Sequence, residues 1–271
     1  MFVGDTIVDE YHYVTALGKS PKENLIPVKH EDAECFQGGV EAAANHARSF
    51  CRHVSVRTDI NGVRKVRMVE REYMRKLFEI HYNGHVNPIL RQDTSTFDCV
   101  VVTDFGHGAI NADTVDWLTD TAYLAVNAQT NSANLGFNLI TKYPQADYIV
   151  IDEPEARLAA HDRDSPIESV IEKLAYNRCK KMIVTHGAKG AVGYDGSFHY
   201  SAAFTDRVID TMGAGDAFFA ITAPMSKNGS IEDLLLIGNA AGALKTQIIG
   251  HRKSVTKDDL IGFLHGPSIR A

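Results

Sequence analysis

The sequence predicts an α/β fold with one central, mostly parallel sheet and helices on both of its faces. From residue 97 onward, short apolar segments typical of buried strands alternate with segments typical of helices. Several apolar segments end in a polar residue, as strands often do where a ligand binds. The length of 271 residues suits a single large domain with a small appendage.

The first part of the chain is less regular than the rest. Residues 2–8 predict a buried strand that is interrupted at Gly4 and Asp5. An alanine-rich helix is expected to open at Gln37 and to run to about Phe50. Residues 65–69 alternate as in a strand, whereas residues 73–80 fit a strand and a helix equally well.

From residue 97 the predicted elements follow one another with short turns. The predicted strands cover residues 97–103, 122–126, 146–151 and 181–185. The predicted helices cover residues 112–121, 155–160 and 166–178, and further helices begin at Ala214, Ile231 and Thr256. A hairpin is predicted over residues 191–200, with its turn at Asp195-Gly196. This alternation implies parallel strands joined by right-handed crossovers.

Polar side chains lie at or just after the ends of four predicted strands. They are Asp104, Asn127, Asp152 and Thr185. Because the carboxyl ends of parallel strands meet at one edge of a sheet, ligands bind beyond that edge. The sequence therefore predicts a ligand site there.

The stretch from Val208 to Ala220, VIDTMGAGDAFFA, carries the most chemical information in the chain. Gly213 and Gly215 allow a tight turn and a close approach of the backbone to a ligand. The amides of residues 213–215 would lie at a helix N-terminus, where anions and above all phosphate bind. Asp216 would repel such an anion, so its position favours a base that takes a proton from an attacking hydroxyl. The alternative is that Asp216 only charges the first turn of the helix.

This stretch resembles the D-T-x-G-A-G-D signature of the ribokinase-like (PfkB) carbohydrate kinases. The matching residues are Asp210, Thr211, Gly213, Ala214, Gly215 and Asp216. The resemblance implies a ribokinase-like fold, with ATP and Mg²⁺ as cosubstrate and cofactor. It also implies that Gly213, Ala214 and Gly215 form an anion hole for the transferred phosphoryl group, with Asp216 as the catalytic base.

The resemblance extends to residues that would bind the sugar. Gly4-Asp5-Thr-Ile-Val-Asp9 is similar to the family's G-D-x-x-x-D, whose second Asp contacts sugar hydroxyls. Gly38-Gly39 resembles the first family signature, in which paired glycines let the sugar lie on bare backbone. We expect Asp9, Gly38, Gly39, Asn45 and Asp104 on the substrate side. The alternative for Asp9 is a solvated acid, and the alternative for Gly38 and Gly39 is an ordinary turn before a helix. Asn45 could equally be a polar residue on the surface of that helix.

Other segments resemble the nucleotide side of the family. Thr185-His-Gly187-Ala-Lys-Gly190 is similar to its T-x-G-x-x-G segment, and Asn239 lies where the family places a residue near the adenine. Asp152-Glu-Pro-Glu155 is similar to its N-x-x-E motif, with Asp152 in place of the Asn. Glu155 is then expected to act on Mg²⁺, through water. The alternative for Asp152 and Glu155 is a pair of surface acids at a helix start. The alternative for Asn239 is a helix of small residues that packs closely against the sheet.

Two segments resemble one subgroup, the heptose-7-phosphate kinases. Residues 102–110 are similar to its S-D-Y-x-K-G-A-L segment, with His107 in place of the lysine, and residues 4–13 to its G-D-x-x-L-D-x-Y-x-Y opening. The implied substrate is a sugar or sugar phosphate, such as a heptose 7-phosphate. The alternatives are a hexose or nucleoside acceptor, and a non-catalytic sugar-binding protein on the same fold.

Composition narrows the class of partners. The net charge is −6 and no basic block stands out, so we expect no nucleic-acid partner. No apolar run is long enough to cross a membrane, and the four cysteines and twelve histidines show no zinc-site spacing. We expect a cytoplasmic protein with free thiols. A homodimer and a monovalent-cation requirement stay open.

The expected organisation is a single kinase domain over residues 1–271, with a small β lid from about 10–35 and 58–82. The lid is predicted to be reduced, because the segment between Cys51 and Asn61 is shorter than in the family that the chain resembles. The sequence leaves open whether this is a true deletion.

Overall fold

The computed structural model describes residues 1–59, 62–204 and 208–266. Its strands form a central sheet of eight and a second sheet of four. In chain order they are β1 (Phe2–Gly4), β2 (Thr6–Ala16), β3 (Val28–Gly39), β4 (Val56–Arg57), β5 (Val63–Glu70), β6 (Arg75–Tyr82), β7 (Val100–Asp104), β8 (Leu124–Ala128), β9 (Ala146–Asp152), β10 (Cys179–Thr185), β11 (Ala191–Tyr194) and β12 (Phe198–Ser201).

Seven α-helices accompany these strands in the described residues. They are α1 (Val40–Ala47), α2 (Ala112–Thr119), α3 (Glu153–Ala160), α4 (Ile167–Ala175), α5 (Ala214–Thr222), α6 (Ile231–Lys245) and α7 (Lys257–His265). The predicted alanine-rich helix is confirmed, but it begins at Val40 because the two preceding glycines end strand β3. None of the helices in the described ranges has the length and apolar character needed to cross a membrane.

The central sheet has the strand order β12-β11-β10-β9-β8-β7-β1-β4. The strands β4, β1, β7, β8, β9 and β10 pair in parallel, and β11 pairs antiparallel with both of its neighbours, β10 and β12. Every residue of β7 and β8 is buried, as expected for strands covered on both faces. One apolar cluster lies on each face of the sheet, with α2, α3 and α4 contributing to one and α1, α5 and α6 to the other. The predicted mostly parallel sheet with helices on both sides is confirmed.

The second sheet, which we call the lid, has the strand order β3-β2-β5-β6. Residues 10–35 and 58–82 supply most of it, while Ile60 and Asn61 in the second segment lie outside the described residues. The strand predicted over 2–8 turns at Asp5, and its second half continues as β2 to Ala16. The short segment after Cys51 contributes β4 to the edge of the central sheet.

One face of the lid is charged and covers the carboxyl end of the central sheet. Asp9, Lys65 and His81 stand opposite one another in the register of β2, β5 and β6, so their side chains share this inner face. Two residues further along the strands, Arg67 stands opposite Glu79. The lid therefore presents both carboxylates and cations toward the ligand edge of the central sheet.

Candidate active site

A pocket of about 170 Å³ lies where the carboxyl ends of β8, β9 and β10 meet the start of α5. Its lining residues are Asn127, Gln129, Val150, Ile151, Asp152, Glu155, Thr185, Thr211, Gly213, Ala214, Gly215 and Asp216. The predicted anion loop, the predicted base, Thr185 and the Asp152–Glu155 pair therefore share one pocket. It stands at the edge of the sheet where the strand-end residues predicted a ligand site.

The start of α5 has the backbone geometry that an anion site requires. Gly213 at the N-cap has a φ of +74°, in the left-handed region that favours glycine. No side chain caps this helix, and its first residues line the pocket. The amide of Ala214 donates to the carbonyl of Thr211 at 3.3 Å, whereas the amides of Gly215 and Asp216 have no partner among the described residues. A Cβ at Gly215 would meet nothing within 4 Å, which leaves room for a ligand against this residue. Together these features suit a phosphoryl group.

Asp216 lies in the first turn of α5 and is half-buried at the pocket. Gln129 Nε2 donates a hydrogen bond to Asp216 Oδ1, and the same nitrogen lies 2.8 Å from Asn127 Oδ1. Burial raises the pKa of Asp216, while the charge of His251 and the hydrogen bond from Gln129 act in the opposite direction. A carboxylate of raised pKa beside an anion site is suited to accept a proton.

Asp152 and Glu155 form a capping box at the start of α3. Asp152 Oδ1 accepts the amide of Glu155 at 2.7 Å, and Glu155 Oε2 accepts the amide of Asp152 at 2.9 Å. The other oxygen of Glu155 accepts the amide of Thr130 at 3.0 Å. Burial, together with the nearby charge of Asp152, raises the pKa of Glu155 to about 8. The pocket therefore carries several carboxylates whose charges disfavour one another.

The same carboxylates fit a magnesium ion that arrives with phosphates. In the part of the chain that the structure describes, no three or more His, Cys, Asp or Glu side chains are grouped to hold a metal ion by themselves. Mg²⁺ does not need such a cluster, because it keeps several waters and takes one or two carboxylates along with substrate phosphates. Asp152 and Glu155 supply carboxylates in the pocket that contains the anion loop. Burial and neighbouring negative charge raise the pKa of both carboxylates, and a bound cation would favour their charged form.

Asp9 is buried on the inner face of the lid. Its carboxylate forms an ion pair with Arg67 and lies 3.7 Å from His251 Nε2. Burial acts to raise the pKa of Asp9, but His251 and Arg67 outweigh it and the pKa lies below its ordinary value. A side chain at Gly38 would overlap the Asp9 carboxylate, which accounts for the glycine. Gly39, with a φ of +62°, follows and begins the turn into α1. The structure thus brings Asp9, Gly38 and Gly39 together.

Lys65, next to Asp9 in the lid, is a cation without a partner. It is only 7% exposed, and it forms no hydrogen bond or ion pair within the described residues. Burial lowers its pKa, and the charge of Asp9 opposes this. Burial of His107, together with the nearby charge of Lys65, lowers the pKa of His107 to about 4. The Nε2 atom of His107 is buried without a hydrogen-bond partner among the described residues. The ammonium group of Lys65 and the Nε2 atom of His107 are therefore two nitrogen groups of this region without a hydrogen-bond partner among the described residues.

Asp104 is enclosed rather than turned toward the pocket. Its side chain is 1% exposed, it accepts a hydrogen bond from Tyr143 at 2.6 Å, and it pairs with Lys142. The amide of Gly106 also donates to it, at 3.0 Å. These contacts fix the loop that follows β7 and leave the carboxylate no free oxygen for a ligand.

Asn45 and Asn239 also have other partners. Asn45 accepts a hydrogen bond from Arg48 Nε at 2.9 Å and lines a separate pocket of about 390 Å³ between α1 and residues 251–254. Asn239 donates to the carbonyl of Ser201 at 3.2 Å and to its hydroxyl at 2.9 Å, so it ties α6 to the end of β12. Neither side chain lines the pocket at Asp216.

The segment after β10 combines a threonine at the pocket with two glycines in a tight turn. Thr185 ends β10 and lines the pocket, while Gly187 and Gly190 bracket a short 3₁₀ helix with φ values of +56° and +98°. A side chain at Gly190 would overlap the carbonyl of Ser201. Gly190 therefore serves close packing against β12, and Thr185 is the residue of this segment that lines the pocket.

Several residues of the site were not predicted from the sequence. Gln129 is one, although it follows the strand-end residue Asn127 by two positions. The structural role of Asp5 within the G-D-x-x-x-D segment was not predicted either: its carboxylate accepts the amides of Phe105 at 2.9 Å and Ala109 at 3.1 Å, and so holds the loop after β7. Burial, together with the nearby charge of Asp104, raises the pKa of Asp5 to about 6.

Comparison with known proteins agrees with the architecture of the chain. The fold is similar to that of ribokinase from Thermotoga maritima, with a TM-score of 0.77 at 19% identity over 98% of each chain. Arabidopsis thaliana ribokinase, solved with ribose and ATP, has a TM-score of 0.74 at 16% identity over 98% of each chain. The probable fructokinase-6 of Arabidopsis thaliana is 30% identical over 127 residues, which are 41% of this chain and 32% of that protein.

The matched segment thus spans about a third of that curated relative. The family model described as pfkB family carbohydrate kinase matches residues 97–258, more than half of the chain. That range contains the anion loop, Asp216 and the whole pocket around them. The chain therefore belongs to the pfkB family of carbohydrate kinases.

Proposed function

We propose that the protein is an ATP-dependent sugar kinase that transfers the γ-phosphoryl group to a hydroxyl of a sugar or sugar phosphate. The observation that carries this proposal is the position of Asp216, in one pocket with the uncapped amides of the anion loop. A site that only bound an anion would be weakened by that carboxylate. A phosphoryl-transfer site needs it, because the attacking hydroxyl must lose a proton beside the phosphate.

In the proposed reaction the acceptor oxygen attacks the γ-phosphorus of ATP and a new P–O bond forms. The bond between that phosphorus and the β–γ bridging oxygen breaks, and ADP leaves with the bond's electrons. Asp216 takes the hydroxyl proton, held in position by Gln129. The amides at the start of α5 stabilise charge on the moving phosphoryl group.

Asp152 and Glu155 are the residues that would hold Mg²⁺, in part through water. When bound, the ion offsets the charge of the triphosphate. Thr185, which lines the same pocket, offers a hydroxyl to the nucleotide phosphates. We also assign Gly187 to the nucleotide side, on its position next to Thr185 in the loop after β10.

For the acceptor side we propose Asp9, with Gly38 and Gly39, as the sugar platform. A carboxylate held below its ordinary pKa stays charged and accepts hydrogen bonds from two hydroxyls. The unpartnered ammonium of Lys65 favours an acceptor that already carries a phosphate, such as a heptose 7-phosphate. A hexose or nucleoside acceptor is the second candidate, supported by the similarity to a probable fructokinase.

A coupled assay of ADP release over a panel of sugars, sugar phosphates and nucleosides tests the function. We expect turnover with at least one phosphorylated sugar, and loss of roughly 10²- to 10⁴-fold in Asp216→Asn with nucleotide binding retained. Near-normal turnover in Asp216→Asn would remove the base from the proposal. Sugar binding without ADP release from any acceptor would favour the non-catalytic alternative.

Lys65→Met tests the phosphorylated acceptor separately. We expect a higher KM for sugar phosphates and an unchanged KM for ATP, because a desolvated charge–phosphate contact is lost. Arg64→Met is the matched control, since Arg64 lies on the outer face of the same strand with a side chain 44% exposed. Equal effects of the two substitutions would leave the phosphate contact without support.

We also propose a homodimer formed through the lids. The outer face of the edge strand β6 carries Phe78, Ile80 and Tyr82, which are 49%, 38% and 45% exposed. Such a row of apolar side chains on a sheet edge favours pairing with another copy. Sedimentation analysis should find a dimer that Ile80→Glu dissociates, and a monomeric wild type would exclude it.

A further inference from the structure

Lys245, at the end of α6, is a fully buried cation in a cage of carbonyls. Its side chain has 0% exposure, and Nζ donates to the carbonyls of Met212 at 2.6 Å, Gly250 at 2.8 Å and Ile248 at 3.4 Å. A neutral amine has only two N–H groups, so three acceptors call for the ammonium form. Within the described residues no carboxylate forms an ion pair with Lys245, so the carbonyl dipoles solvate the charge.

The cage lies directly behind the anion loop. Met212 is the residue before Gly213, and a Cβ at Gly213 would lie 3.3 Å from Lys245 Cε. The other wall, residues 248–250, leads into His251, whose side chain lies beside Asp9. Lys245 therefore joins the backbone of the phosphoryl end of the site to the loop that reaches the acceptor end.

Backbone carbonyls that surround a cation replace its hydration shell, as they do for monovalent ions in proteins. We propose that the ammonium of Lys245 acts as a tethered monovalent cation, which fixes the anion loop and makes the reaction independent of added K⁺ or NH₄⁺. This inference rests on the proposed kinase activity. It gives Lys245 a positioning role, because the ammonium acts through the backbone of residues 212–213 and does not touch the phosphoryl group.

The test compares the wild type with Lys245→Ala in tetramethylammonium chloride, KCl and NH₄Cl at matched ionic strength. We expect equal wild-type turnover in the three salts. Lys245→Ala should lose roughly 10²-fold in kcat, as for loss of a preorganised anion site. KCl or NH₄Cl should restore part of this loss in a saturable way, because a free cation then enters the emptied cage.

Lys181→Ala is the matched control. Lys181 Nζ also donates to two backbone carbonyls, those of Ser226 at 2.9 Å and Gly229 at 2.6 Å, but these lie outside the pocket. We expect wild-type kcat and no response to K⁺ or NH₄⁺ in this variant. Lys245→Met, which fills the cage with apolar atoms, should lose activity without rescue.

Thermal melting gives a second readout that does not depend on turnover. KCl and NH₄Cl should raise the melting temperature of Lys245→Ala above its value in tetramethylammonium chloride, and they should not do so for the wild type. A wild type that needs K⁺, or is specifically stabilised by it, would overturn the proposal. So would a Lys245→Ala protein with wild-type turnover in every salt. If the wild type turns over no acceptor, the kinase proposal fails while the melting comparison still decides the role of Lys245.

Discussion

Asp210 and Lys245 hold the same two residues through opposite groups of the backbone. The Asp210 carboxylate accepts the amides of Met212 at 3.1 Å and Gly250 at 2.9 Å, and Lys245 donates to the carbonyls of these residues. Two loops distant in sequence are thereby clamped by one anion and one cation. Because the clamp ends at the residue before Gly213, it fixes the turn that starts the anion loop.

Asp210 also ties this clamp to the lid, since it accepts Tyr11 Oη at 2.7 Å and pairs with Lys76 Nζ at 2.8 Å. We expect Asp210→Asn to lower the free energy of unfolding by roughly 3 kcal/mol, because it leaves buried donors without an acceptor. Urea unfolding measures this. Asp32→Asn, which breaks the exposed pair with Arg71, should change the free energy by less than about 1 kcal/mol. Equal losses would show that the clamp is not a special contact.

Gly215→Ala is expected to separate stability from activity. A Cβ at Gly215 meets nothing in the folded chain, and alanine favours a helix over glycine by about 1 kcal/mol, so the variant should be at least as stable as the wild type. Its methyl group would occupy the space of the phosphoryl group, and we expect a loss of roughly 10²-fold in kcat/KM for ATP.

Gly262→Ala in α7 is the control for Gly215→Ala. A Cβ at Gly262 also meets nothing within 4 Å, and this residue lies outside the pocket. We expect a similar gain in thermal stability with no change in turnover. If Gly215→Ala kept full activity, the phosphoryl group would have to lie elsewhere.

Gln129→Met is expected to change the pH dependence of the reaction. The hydrogen bond from Gln129 opposes the burial that raises the pKa of Asp216, so its loss should raise that pKa further. A base with a higher pKa is protonated over a wider acidic range, and the acid limb of kcat/KM should move to higher pH. Gln92→Met, remote from the pocket, should leave the profile in place. An acid limb at the same pH in both variants would argue against Asp216 as the titrating base.

The fold was predictable because its elements are encoded locally. The apolar strands from residue 97 and the helices near Ala214, Ile231 and Thr256 follow from the period of apolar residues, and the last two helices also have capping side chains, Ser230 and Thr256. The lid was harder to place. Asp5 turns the chain between β1 and β2 by binding amides about a hundred residues away, and no local pattern encodes that contact.

The candidate site likewise has a part that is encoded locally and a part that depends on contacts between distant residues. The anion loop and Asp216 form one continuous stretch and were predicted from it. Gln129 reaches Asp216 across 87 positions, and Lys245 reaches Met212 across 33. Because helix α6 is rich in small residues, its sequence predicts close packing and gives no sign that its last residue buries a charge. Such roles depend on tertiary placement, which periodicity does not report.

The raised pKa of Asp5 gives the fold a pH dependence of predictable sign. The folded state holds the Asp5 proton up to a pKa of about 6, while the unfolded chain loses it near the ordinary value of 3.8. Between these values the folded state binds more protons than the unfolded chain. The contribution of Asp5 to stability is therefore present below pH 3.8 and is lost as pH rises through about 6. At about 1.4 kcal/mol per pKa unit, the loss is about 3 kcal/mol.

The measurement is the free energy of unfolding in urea across this window, for the wild type and for Asp5→Asn. The variant loses an acceptor for the amides of residues 105–109, which lowers its stability by an offset that does not depend on pH. The pH-dependent part of the stability comes from the carboxyl group of the wild type. The difference in the free energy of unfolding between the two proteins should therefore shrink as pH rises from about 4 to about 6. A difference that stayed constant would mean that Asp5 is ionised in the folded state throughout, with the amides of its loop outweighing the cost of burial.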